Sequence, residues 1–348
     1  MVVRVYLKQA WNLMKQNPLF STLYIVGTGI SIVMTMVIAI VYYVRLAPVY
    51  PETNRMRTLV VKSAKMTNDE STHSANISYA MLKDWFYSLE SAEVSTGVFG
   101  TSYARVTNDK EEIPTYARYT DENFFRVFPL VFLEGKPFTE ADRRSGIHNV
   151  VLTDSYAQQL FGTTKGVVGK NFLMDYTNVK VVGVVKSGSF LTPDSYAQVY
   201  LPYSCRDGYD DEGSHWALGG YRVYILMKES KSVTDVQDEV LELVRKFNVS
   251  DMGDGWKLDL VGQPELYWHS TFRLWSNVAV DWGRVIWMFV GIFMVLLFVP
   301  AFNLSGMISA RMERQLPDLG IRKAFGASRR RLLVQIIWEN LLLTGLGT

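Results

Sequence analysis

Very little in the sequence is suited to catalysis or to a disulfide framework. Of 348 residues one is cysteine, Cys205, and four are histidine, His73, His148, His215 and His269. A single cysteine excludes an intrachain disulfide, and its plainest role is that of a small buried hydrophobe. The histidines show no HExxH or HxH spacing from which a metal site could start. No GxSxG elbow presents a serine nucleophile, and GVVGKN at 166–171 lacks both the spacing and the hydroxyl residue of a P-loop. No catalytic residue, metal ligand or cofactor of its own is assigned to this chain. Net charge is also scarce, at +2. The one basic cluster, Arg329, Arg330 and Arg331, abuts an apolar stretch, where retention on one side of a membrane and contact with lipid headgroups account for it.

What is present is apolar length. Residues 19–44 and 285–310 each run 26 residues without a charge, longer than the roughly 20 that a helix needs to cross a bilayer. The first run is too long for a signal peptide, and no small-x-small cleavage site follows it. Residues 1–44 carry Arg4, Lys8 and Lys15 and no acid, whereas 285–348 carry seven basic and three acidic groups. Both flanks are positive and 45–284 is left at −5, so the ends are expected in the cytoplasm and the middle outside. Ahead of the first run, Leu7, Ala10, Trp11 and Met14 share one helical face, with Lys8 and Lys15 on another. That pattern suits a helix lying on the inner membrane surface, with Trp11 at the interface, and equally a packing helix of a membrane bundle.

The middle segment alternates strand and helix signals. Residues 57–62, 112–120, 179–185 and 220–228 are rich in β-branched and aromatic side chains. Helical patterns occur at 78–90, 121–128, 153–161 and 232–248, the last with Val233, Val236, Val240, Leu243, Val244 and Phe247 in one stripe. The Gly-rich, acidic stretch 207–220 reads as a mobile loop. Trp268, Trp275 and Trp282 recur every seven residues. On a helix entering the membrane, Trp282 would join the headgroup belt, while Trp268 and Trp275 would pack in a stalk against the first span.

The segment after the second run has well-placed helix signals. Pro317 suits a first helical turn, Asp318 its positive end, Arg322 and Lys323 its negative end, and Gly326 a left-handed cap. Ser328 then caps a further helix whose apolar part begins a third span, cut off by the chain end. A short helix held between two spans is a natural handle for another protein.

These residues resemble the MacB-like and FtsX-like permease family of ABC transporters. Arg311 and Glu313 precede Asp318, Leu319, Gly320, Ile321, Arg322, Lys323, Ala324, Phe325, Gly326, Ala327 and Ser328, similar to the family's acidic-Ile-Gly-Ile-Arg-x-Ala-x-Gly-Ala-Ser pattern; Asp318 replaces the usual Glu, and Glu339 matches an acid at the start of the third span. DENFFRVFPLVFLEGKPFTEAD at 121–142 and NVVLTDSYAQQLFGTTKGVVGKNF at 149–172 resemble the family's periplasmic core domain, and the N-terminal LKQAWNLMKQNPLFSTL resembles its entry to the first span.

The patterns and the resemblance together imply an α+β membrane protein in which transmembrane helices flank a large extracytoplasmic mixed α/β domain, its length enough for one large domain or, as expected here, two lobes. The implied boundaries are an amphipathic helix at 1–18, spans at 19–44 and 285–305, a periplasmic core with stalk at 45–284, a coupling loop at 306–330 and a truncated third span at 331–348. It further implies a bacterial inner-membrane, non-catalytic subunit docking an ABC ATPase through Arg311, Glu313 and 318–328. ATP and Mg would be bound by that ATPase, and a second permease copy or half would complete a dimer. A periplasmic adaptor or outer-membrane channel and membrane lipid complete the expected partners, with no nucleic acid. The rival readings are a two-span sensor and a regulator of cell-wall hydrolases; the first lacks an output module and the second has smaller ectodomains.

Overall fold

A computed structural model describes residues 18–107, 112–210, 216–250 and 255–298, together with 321, 324 and 337. Two compact units are present, one of 1–42 with 282–348 and one of Tyr43–Asp281.

The first unit contains most of an entry helix, Pro18–Leu46, and an exit helix, Trp282–Phe298. The entry helix has no charge before Arg45, which lies in its last turn, where a cation meets the negative end of the helix dipole. Two of its hydroxyls are satisfied within the helix, Ser31 donating to Gly27 O at 2.9 Å and Thr35 to Ser31 O at 2.8 Å, so these two place no unpaired donor on an apolar surface. Among the described residues Ile25–Leu46 alone is long and apolar enough to cross a membrane; the described exit helix is shorter. Tyr42 and Phe289 meet with ring centroids 4.9 Å apart.

The second unit is built on strands β1 (Thr58–Val61), β2 (Ala64–Thr67), β3 (Thr72–Ile77), β4 (Ala92–Thr107), β5 (Glu112–Thr120), β6 (Phe132–Gly135), β7 (Asn149–Thr153), β8 (Asn171–Met174), β9 (Thr177–Val185), β10 (Val199–Pro202), β11 (Leu218–Gly219), β12 (Tyr221–Met227), β13 (Lys257–Asp259) and β14 (Glu265–Leu266). They join in one sheet of order β13-β2-β3-β12-β4-β5-β10-β7-β9-β6, antiparallel except for the β5/β10 and β7/β9 pairs. The strand signals at 57–62, 112–120, 179–185 and 220–228 all fall on strands. Residues Tyr43–Asp281 form one compact unit. The reason is β4, whose 16 residues pair with β12 at one end, β5 beyond it and β8 at the far end, carrying one sheet through the whole unit.

Apolar side chains form two cores. One takes the helix Val233–Val249, which buries Val236, Val240, Val244 and Phe247 and starts from a reciprocal capping box between Ser232 and Asp235. Phe247 stacks on Trp216 at 5.5 Å. The other is aromatic, with Phe124, Phe125, Phe128, Phe138, Tyr200, Tyr224 and Tyr267. The 78–90 pattern resolves into the helix Tyr79–Asp84, capped by Ser78, and a short 3-10 turn, Phe86–Ser88. Within 207–220, Asp207, Gly208 and Asp210 are exposed, while Tyr209 and 216–218 are packed. Tyr209 O accepts the Tyr221 hydroxyl at 2.6 Å, its ring stacks on Tyr203, and Ala217 and Leu218 are buried; 211–215 lie outside the described residues.

Candidate functional site

The ectodomain is entered after the entry helix and left before the exit helix, and both passages are tied by buried charge. Arg55 donates from one guanidinium nitrogen to Val44 O at 2.7 Å and Ala47 O at 2.9 Å. It thereby supplies a cation to Val44 O in the last turn of the entry helix and to Ala47 O just past its end, the latter also accepting Val49 N at 2.9 Å. The same guanidinium is paired with Glu52, and both side chains are buried. Glu52 also accepts the Ser195 hydroxyl at 2.7 Å, which links the entry to the 192–196 turn. Under Arg55 lies the Tyr267 ring, 5.2 Å from the guanidinium carbon, and Lys62 approaches the same ring at 5.9 Å.

Tyr267 belongs to the exit passage. Its backbone N–H donates to Thr58 O at 2.8 Å, and immediately before it β14 pairs with β1, Leu59 opposite Leu266 and Val60 opposite Glu265. Gln263 closes the seam, accepting from Lys62 N at 2.6 Å and donating to Ser63 O at 3.0 Å and Leu260 O at 2.9 Å. Glu265 pairs with Arg273, whose guanidinium also donates to Val261 O at 2.9 Å and Val278 O at 2.7 Å.

Behind the seam, Asp194 is held by Lys62 at 3.0 Å and Arg222 at 3.6 Å. Burial favours its neutral form, but these cations outweigh that and hold the carboxyl well below the usual range. The buried Arg118 donates to Pro193 O at 2.7 Å and Tyr196 O at 2.8 Å, fixing the turn that carries Asp194. A second buried carboxylate, Asp121, accepts from Tyr87, Thr96, Gly97 N and Asn123 N. Burial dominates there and pushes its pKa up to about 6 against those four donors. Burial likewise pushes the Cys205 thiol up to about 12, leaving it unreactive as a thiolate source.

Of the residues singled out from sequence, Arg311, Glu313, Asp318, Leu319, Gly320, Arg322, Lys323, Gly326, Ala327 and Ser328 lie outside the described residues, as do Trp11, Arg329, Arg330 and Arg331. Ile321 and Ala324 are helical and exposed, three residues apart and so on one face. Trp282 opens the exit helix. The stalk assignment of Trp268 and Trp275 is corrected. Residues 267–281 are not one helix: Trp268 precedes a 3-10 turn, His269–Phe272, and Trp275 sits on a turn closed by Val278 N donating to Trp275 O at 3.2 Å. The carbonyls that Arg273 collects hold this path away from a helix, so the seven-residue spacing has no helical face to lie on. Arg55, Glu52, Lys62, Asp194, Ser195 and Tyr267 were not singled out; the available signal was the Glu52/Arg55 pair directly behind a charge-free run.

An extracytoplasmic mixed α/β domain fed by apolar helices is the class this architecture defines. Residues 20–243 match the family described as MacB-like periplasmic core domain, and 277–348 match the FtsX-like permease C-terminal family. The chain belongs to this MacB-like, FtsX-like permease family of ABC transporters. It is 24% identical over 244 residues to the pyoverdine export ATP-binding/permease protein PvdT of Pseudomonas fluorescens (strain Pf0-1), covering 67% of this chain and 33% of that protein. It is 21% identical to the macrolide export ATP-binding/permease protein MacB of Escherichia coli (strain K12), covering 70% and 35%. The chain thus spans about a third of the length of these relatives. Among solved structures, the periplasmic region of MacB from Actinobacillus actinomycetemcomitans aligns with 57% of this chain and 88% of its own, at 16% identity and a TM-score of 0.41.

Proposed function

We propose that this chain is the non-catalytic permease subunit of a mechanotransmission-type ABC transporter in the bacterial inner membrane. A separate ATPase binds ATP and Mg and docks on Arg311, Glu313 and 318–328, and its closure is passed along the entry and exit helices to the periplasmic domain. Two copies, or two related halves, form the working unit, with a periplasmic adaptor or outer-membrane channel as a further partner. Cargo is exported or extracted as a lipoprotein, peptide or drug without crossing the bilayer through the chain.

The observation that best supports this reading is the entry and exit junction. A domain that merely hung from the membrane needs no more than linkers. Here a buried arginine binds Val44 O in the last turn of the entry helix and Ala47 O just past it, and the exit strand is paired beside the entry strand. A displacement of the entry helix end therefore reaches β1, β14 and the Asp194 turn together.

In the full-length protein with its ATPase, Asp318→Lys or Gly320→Lys is expected to abolish stimulation of ATP turnover while the thermal unfolding of the ectodomain stays unchanged. Undiminished stimulation in both variants would overturn the coupling assignment.

A further inference from the structure

Between Arg273 and Asp281 the chain runs LWSNVAV, seven residues without a charge. A tether joining a folded domain to a helix is ordinarily polar and loose, whereas this one has no charge and its backbone is pinned. Arg273, itself buried against Glu265, binds Val278 O at 2.7 Å from one side and Val261 O at 2.9 Å from the other. The turn from Trp275 to Val278 closes on its own backbone bond. With its backbone pinned from within, the turn presents Leu274 at 64%, Trp275 at 66% and Val278 at 44% exposure. Ordering an apolar turn so that its side chains face outward is unfavourable in water, so the arrangement calls for an apolar occupant.

We propose that the 274–278 turn is a membrane foot of the ectodomain, inserted into the headgroup and upper acyl region of the outer leaflet. This inference rests on reading the exit helix as a span. Continuity along the chain carries it: only 279–281 separate Val278 from Trp282, at most about 14 Å of extended chain, and the exit helix that follows has Ile286, Trp287 and Phe293 exposed. The composition also fits. Trp prefers the interface, Leu and Val the acyl boundary, and no charge in 274–280 has to be desolvated. A foot fixed to the exit strand by Arg273 ties β14 to the lipid surface.

The test uses the full-length protein in nanodiscs of phosphatidylethanolamine and phosphatidylglycerol. Cys205→Ser removes the native thiol, and nitroxide labels are attached singly through Leu274→Cys, Val278→Cys, Phe293→Cys and Val249→Cys. Val249, 88% exposed at the end of its helix, is the aqueous reference, and Phe293 the lipid reference. Labels at 274 and 278 are expected to collide more with oxygen than with a polar nickel chelate, at depths between the two references. Water-like values at 274 and 278 with lipid-like values at 293 would overturn the foot and leave the span standing. Shielding of 274 and 278 from both reagents would overturn it in favour of a second copy or another protein. Water-like values at 293 would overturn the span and the foot together.

Discussion

Asp121 and Asp194 are both buried carboxylates, and their surroundings drive them in opposite directions. Asp121 rises from 3.8 to about 6 because burial outweighs its donors. Between those values the folded state binds more protons than the unfolded one, so this residue's contribution to stability falls as pH rises from about 4 through about 6 and is lost above that, by about 3 kcal/mol. Asp194 is depressed by Lys62 and Arg222, so its contribution is present above the ordinary carboxylate value of about 4 and is lost as pH falls toward the folded value. A pH series of thermal unfolding separates the two. Asp121→Asn should abolish a decline in melting temperature between pH about 4 and about 6, and Asp194→Asn should lower the neutral plateau and flatten the acid limb. An unchanged pH profile in either variant contradicts its assignment. Arg55 adds a third expectation at this scale. Arg55→Ala leaves Glu52 charged and buried, which destabilises by about 3–5 kcal/mol, whereas Arg55→Met combined with Glu52→Leu should recover part of that loss in the same denaturant titration.

The helix Val233–Val249 shows why some elements were readable. Its apolar stripe, capping residue and length are local properties, and all coincide in the structure. Ser232→Ala should destabilise by about 1 kcal/mol through the lost cap. Phe247→Ala should destabilise by about 3–5 kcal/mol and shift the emission of the stacked Trp216. Equal effects of the two changes would mean that the helix is held by its cap rather than by the core. The same local logic misread the exit passage. Seven-residue spacing of tryptophans is a helical signal only if the backbone is helical, and between 267 and 281 Arg273 and Glu265 bind the chain into turns. That decision is made by contacts with Val261 and Glu265 on the preceding turn and strand. In the 207–220 stretch, Gly and acid content suggested looseness; 211–215 lie outside the described residues, and at its two sides Tyr209 and Trp216 are packed by Tyr203, Tyr221 and Phe247.

At the scale of the molecule, class and order were legible because long charge-free runs and alternating strand and helix patterns are properties of contiguous sequence. The junction was not, because Glu52 meets Ser195 across 143 positions and Lys62 meets Asp194 across 132. Nor was the continuity of the sheet, which rests on the pairing of β4 with three different strands. That layout also makes the ectodomain mechanically anisotropic. β1 lies between β12 and β14 and is antiparallel to both, so the chain enters and leaves at the same end of adjacent strands. A tug along β1 loads its four-residue register against β12 in shear, with the ladder bonds sharing the force. A sideways tug between entry and exit peels β1 from β14 one bond at a time. The base of the domain is thus stiff to axial strokes and compliant to lateral splaying, the property of a piston rod rather than a hinge.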